Sequence, residues 1–398
     1  MINLLIVVSV IVMIILLIKK GVEIGITLLI AAICLSLLLS PQYFIDILYE
    51  TVISTRTWFL ILMSTSIAIL AELYRLTGLI EDMGIGLARA LRSSKIAVML
   101  TPAIIGLLPV AGGALMSAPI VGALSESLNF TAELSIYANV WFRHTIFMFY
   151  PLSQLLITTS TITGLPIELL ALKQLPIAIF MIIIGYLIAF RNSKHKMNIT
   201  LNEAETPLKI SAIPLVTALI LAVSFRFIIG NFGMLIGVTV GMLALIYVSK
   251  ASSQIILKSV NNRRVRGIAL AAFSIMYLQK SFLISGASKV ITEVLTSNTI
   301  PIILLEYTLP GFLSLITGSP LTGVVLTLPI MESLTALTPT DVSAIYVSSY
   351  LYYLGSPVHL CFVYTAQYFD CSIYKSYKYM VPSIVSSLLF TYLLFTFT

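Results

Sequence analysis

The chain has 398 residues, of which 59% are hydrophobic and 10% charged, with a mean hydropathy of +1.05 and a formal charge of +7. A soluble domain carries roughly a quarter of its residues charged, so this composition cannot furnish a water-facing surface and excludes a soluble domain. The basic residues are spread over short loops and not gathered into a stripe, which argues against nucleic acid as a partner.

Apolar runs at residues 2–18, 22–39 and 57–76 approach or reach the roughly 20 residues a helix needs to cross about 30 Å of hydrocarbon, and predict three spans. No positive charge precedes the first run, no small-residue cleavage site follows it, and Lys19 and Lys20 come after it; it reads as a retained helix. An amphipathic stretch continues through Arg92. The next apolar segment, 96–124, is interrupted by Pro109, Gly112 and Gly113, which would badly break one continuous helix. Residues 134–162 are long enough to span but carry Arg143, His144 and Pro151 near their centre, and an ordinary span at 172–190 closes the first half.

The same order then recurs. Spans at 212–228, 233–249 and 267–285 precede a short amphipathic piece at 288–297. Residues 300–334 are interrupted by Pro310, Gly318, Pro320 and Gly323, residues 342–369 carry Gly355, Pro357 and His359 at their centre, and 379–397 are plain again. The expected fold is therefore all-α and polytopic, with about ten transmembrane helices in two repeats, 1–205 and 206–398, each holding one re-entrant hairpin and one broken helix.

Charge orients the repeats. If both interrupted segments are hairpins, each half crosses five times and the second half is inserted upside down relative to the first. Seventeen of the 23 Lys and Arg residues, from Lys19 and Lys20 to Lys375 and Lys378, then fall on one side; the other holds Arg56, Lys173 and Lys289, while Arg143, Arg226 and Lys280 lie in or at the ends of spans. That asymmetry is what the positive-inside rule requires, and it places both termini outside a multi-pass protein of the cell membrane.

Unwound backbone at membrane depth leaves peptide groups unpaired at several kcal/mol each unless protein, water or a solute satisfies them. The first bend offers Gly112, Gly113 and Ser117, the second Thr317, Gly318, Ser319 and Thr322; after each, a half-helix begins whose free N–H groups favour an anion. Arg143 and His144 sit far from either end of their apolar run. Arg143 either faces a wet cavity or bound anion, or it pairs with an acid such as Glu72 or Glu306, or it marks a span end that lies deeper in the run. Ser356 and His359 flank the second helix break, where His359 is either a site residue or a hydrogen-bonded packing residue. Lys280 and Glu306 are candidates to carry a coupling proton, or they pair with each other. Positive groups outnumber acids among these deep residues, which favours an anionic solute such as a carboxylate or oxyanion. Cys34, Cys361 and Cys371 are too few and too scattered for a disulfide framework or a zinc site, and with no His-Glu-x-x-His pair and no Walker lysine, neither metal nor cofactor is expected.

The strings GLLPVAGGALMSAPIV at 106–121 and GSPVHLCFVYTAQYF at 355–369 resemble the DUF401 family of ten-span membrane proteins, over essentially the whole chain. More broadly, the order of elements is similar to the ion transporter superfamily of secondary carriers. That resemblance implies a solute site between hairpin tips and helix breaks, an elevator-like motion against a scaffold, and a homodimer. Sodium-coupled dicarboxylate members carry Ser-Asn-Thr at each hairpin tip, whereas here Ser297, Asn298 and Thr299 precede the second hairpin, so H+ is favoured over Na+ as the coupling ion. The expected function is a proton- or cation-coupled secondary transporter, not an enzyme, working on a small-molecule solute within the lipid bilayer. Its rivals are an intramembrane hydrolase or transferase built on Ser356 and His359, and a channel.

Overall fold

The computed structural model describes residues 2–91, 93–108, 113–191, 204–287, 290 and 301–397, and among these every regular element is helical. The first three expected spans are α1 (Ile2–Lys19), α2 (Ile24–Leu39) and, after a short amphipathic α3 (Phe44–Ile53), α4 (Thr55–Leu76). The amphipathic stretch is α5 (Leu79–Ala90). The first interrupted segment divides into α6 (Ser94–Gly106) and α7 (Gly113–Leu128); Gly112, at the bend, lies outside the described residues. The first broken span is α8 (Ala132–Thr145) and α9 (Gln154–Thr163), parted by a single tight turn at Ile146–Met148 and by Pro151, and α10 (Ile167–Phe190) follows.

In the second half come α11 (Leu208–Ile229), α12 (Gly233–Ser249), a short amphipathic α13 (Ser253–Val260) and α14 (Arg263–Ile284). The second interrupted segment is α15 (Ile302–Thr317) and α16 (Pro320–Leu334), the second broken span α17 (Pro339–Leu354) and α18 (Leu360–Tyr368), and the last helix α19 (Ile373–Thr396). Apart from residue 290, the amphipathic piece expected at 288–297 falls outside the described residues, as do Ser297, Asn298 and Thr299. Among those described, α1, α4, α10, α11, the stretch Ser253–Ile284 and α19 are long and apolar enough to cross a membrane. Their outward faces carry exposed Leu, Ile, Val and Phe, as lipid requires and water would not tolerate. The chain is a membrane protein.

The helices gather into two compact units, each drawing on both halves of the sequence. One comprises Met1–Thr65, Ile157–Leu170 and Arg263–Tyr353. Within it α14 packs along α2, the Ser36 and Tyr277 hydroxyls share a hydrogen bond at 3.4 Å, and Ser40 Oγ donates to the Ser285 carbonyl at 3.0 Å. The other comprises Ser66–Leu156, Ala171–Asn262 and Leu354–Thr398, and holds the first hairpin, α8 and α18. There the Tyr74 hydroxyl enters the backbone ladder of α11: it donates to the Ser211 carbonyl at 3.0 Å and accepts from the Leu215 N–H at 2.8 Å. The rung that an uninterrupted helix would close directly is thus bridged by a side chain, one residue after the ring of Pro214.

Candidate functional site

Helix α8 is buried on every side from Ser135 to Thr145, so each of its faces meets protein. Two aromatic side chains anchor it. The Tyr137 and Ser383 hydroxyls share a hydrogen bond at 2.6 Å, and Trp141 Nε1 donates to the Met181 carbonyl at 2.9 Å. Asn139 and Arg143, one helical turn apart, share another face. The Asn139 amide donates to the Ala114 carbonyl and to Thr365 Oγ1, both at 3.0 Å, and its oxygen accepts from Ser117 Oγ at 2.6 Å. One side chain thereby fixes α7, α8 and α18 together. Asn139 and Thr365 were not among the expected site residues; their spacing was the available signal, since each lies four positions from Arg143 or Cys361.

Arg143 lies over the first hairpin. Its side chain is 3% exposed and runs between the two arms, where only glycine leaves room. A Cβ on Gly106 would sit 2.7 Å from the Arg143 carbonyl oxygen and 3.1 Å from its Cγ, and one on Gly113 would collide with the guanidinium nitrogen Nη2. Buried Nη1 has no hydrogen-bond partner among the described residues. Glu72, one expected partner, is instead held by Arg75 Nε at 3.0 Å and Asn262 Nδ2 at 2.6 Å. Glu306 belongs to the other unit, buried on α15. A guanidinium beside the first turn of α7 presents two sources of positive potential at one point.

His144 and His359 meet edge to face with ring centroids 4.8 Å apart, both buried, and Arg143 is within electrostatic reach of both. His144 Nδ1 lies 2.6 Å from the Val140 carbonyl. In the break ahead of α18, Ser356 Oγ accepts from the Val358 N–H at 3.3 Å, and the Tyr377 hydroxyl donates to the Gly355 carbonyl at 3.0 Å. Part of the backbone freed by Gly355 and Pro357 is therefore satisfied inside the protein. Cys361 joins this group. One ligand atom from each of His144, His359 and Cys361 falls within 4.8 Å of the others.

The second bend lies in the other unit and is built differently. Gly318 ends α15 in the left-handed region, at φ +64°, and Ser319 caps α16 by accepting from the Thr322 N–H at 3.4 Å. Thr317 Oγ1 donates back to the Leu313 carbonyl at 2.7 Å. The Ser314 and Ser349 hydroxyls meet at 2.8 Å, and Ser349 Oγ donates to the Pro320 carbonyl at 2.6 Å. Lys280 pairs with Glu50 at 2.8 Å.

A cleft of about 870 Å³ opens in the unit that holds Arg143, lined by Asn129, Phe130, Thr131, Arg191, Lys378 and Tyr379 among others. It lies at the opposite end of α8 from Arg143, about 15 Å along the axis at 1.5 Å per residue. Lys378 there pairs with Glu133 at 2.9 Å and holds its carboxyl below the usual carboxylate range.

No curated protein matches the chain. Among solved structures, it is similar to the Alcanivorax borkumensis YdaH transporter, described as having an unusual topology: the TM-score is 0.66 at 15% sequence identity, over 96% of this chain and 98% of that one. The likeness establishes a shared fold from end to end. A family model described as "Protein of unknown function (DUF401)" matches residues 1–397, so the chain belongs to the DUF401 family.

Proposed function

We propose that the protein is a secondary transporter for a small anionic solute, an organic acid or oxyanion, bound at the first hairpin by Arg143. The observation that carries this reading is a guanidinium buried in a membrane protein, at the start of a helix, with Nη1 lacking a partner among the described residues. Such a group costs several kcal/mol to desolvate, and a carboxylate or oxyanion arriving there supplies the missing acceptor. Ser117 and Asn139 hold the hairpin arm that faces it, and His144 and His359 place polar rings beside it. The likeness to a transporter fold agrees with this assignment. On this reading the halves 1–205 and 206–398 are inverted repeats of the ion transporter superfamily. A hairpin-bearing transport unit moves against a scaffold in elevator fashion, driven by coupled protons or cations.

The test is uptake of labelled organic acids and oxyanions into proteoliposomes, across pH and with or without sodium, beside thermal shifts of the purified protein with the same compounds. Saturable, exchangeable uptake that disappears in Arg143→Met is the expected result. A panel in which no anion is taken up or stabilises the protein would refute the assignment.

A further inference from the structure

We propose that His144, His359 and Cys361 form a three-coordinate site for a soft monovalent d10 metal ion, Cu(I). This inference stands on the cluster alone and does not depend on the transport reading. Two features of the donors support it. The Val140 carbonyl can only accept, so His144 Nδ1 carries the proton and Nε2 carries the lone pair. That is the arrangement by which ligating histidines are held in one tautomer and orientation. His359 and Cys361 stand at the N-cap and second position of α18, where the helix dipole favours a thiolate, and Thr365 Oγ1 anchors that turn by donating to the Cys361 carbonyl at 2.7 Å.

Distance and charge select the ion. Metal–nitrogen bonds of about 2.0 Å and metal–sulfur bonds of about 2.3 Å set three donors about 3.5 Å apart. The donors here are all within 4.8 Å, so side-chain rotations of about 1 Å close the site. Thiolate and imidazole together select Cu(I) or Zn(II). With one thiolate, Zn(II) would leave a net positive charge buried beside Arg143, whereas Cu(I) leaves a neutral centre. On binding, the Cys361 S–H proton passes to solvent, the sulfur–metal bond forms, and the metal's oxidation state does not change. Cys361 is only partly buried, which leaves an approach for the ion.

The experiment titrates purified full-length protein with Cu(I) against the chromogenic chelator bicinchoninate. X-ray absorption at the copper edge then counts the scatterers. One equivalent withheld from the chelator, two nitrogens and one sulfur around the ion, and at least a hundredfold weaker competition by Cys361→Ser are expected. Cys34→Ser with Cys371→Ser should bind as the unaltered protein does. Failure to compete for Cu(I), a coordination shell without sulfur, or unchanged binding by Cys361→Ser would overturn the site; tighter retention of Zn(II) than Cu(I) would overturn the ion assignment. The absorption measurement uses unaltered protein, so it decides the matter even if a variant misfolds.

Discussion

The two hairpin bends answer the same physical demand in opposite ways. Each ends one helix and begins another, which leaves terminal backbone groups to be satisfied. At the second bend neutral hydroxyls do this locally: Ser319 caps, Thr317 folds back, and Ser349 links Ser314 to the Pro320 carbonyl. At the first, the neighbouring arms are glycine-lined, and a buried arginine with a partnerless Nη1 among the described residues lies across them. The second bend, where among the described residues Thr322 Oγ1 is buried without a partner but no charge is, offers an anion little. A bend loaded with an incompletely paired charge is stabilised by an anion and is therefore the better candidate for solute contact.

The largest effect should come from removing that charge. Arg143→Met is expected to weaken anion binding about 100-fold, the loss of one or two charged hydrogen bonds at about 1.5–3 kcal/mol, while the ligand-free protein gains about 1 kcal/mol of stability. Melting curves with and without anion would show these opposite signs; a large loss of ligand-free stability would instead mark Arg143 as a structural strut. Next, Gly113→Val drives a branched side chain into the guanidinium, so overpacking should destabilise by about 1–3 kcal/mol and abolish the anion-induced thermal shift. Retention of that shift would move the solute away from the first bend.

Ser349→Ala tests the other side of the comparison. It removes two hydrogen bonds of the second bend and should destabilise by about 1 kcal/mol while leaving anion affinity unaltered. A fall in affinity comparable to that of Arg143→Met would erase the distinction between the bends. The smallest effect belongs to Glu133→Gln, at the far end of α8. Because the Lys378 hydrogen bond depresses the Glu133 pKa, the pair stabilises the protein above the ordinary carboxylate pKa and is lost as pH falls through the depressed value. The variant should therefore melt slightly lower than the unaltered protein at neutral pH and alike in acid.

Much of the architecture was legible because lipid imposes a strict grammar: long apolar runs become helices, and Gly/Pro clusters mark where they stop. The segment read as 300–334 divides at Gly318, and that read as 134–162 divides after Thr145, as their interruptions require. The short helices α3 and α13 are less legible, since FIDILYETVI and SQIILKSV are too brief to register as spans although both are amphipathic. Side-chain partners were harder to foresee. Lys280 pairs with Glu50, 230 residues away, and no linear spacing announces such a choice. Cys361 follows His359 by two positions, but His144, 217 residues earlier, joins them only after folding.

The Tyr74 hydroxyl inside the α11 ladder gives that helix a borrowed rung. The Ser211 carbonyl and the Leu215 amide are spanned by a residue 137 and 141 positions earlier in the chain, at the end of α4. Should α4 slide or turn, the borrowed rung is withdrawn and the Leu215 amide and Ser211 carbonyl must find each other directly. Bending of one helix is in this way coupled to displacement of another, and withdrawing the hydroxyl exchanges two hydrogen bonds for one and leaves Tyr74 to find a new partner.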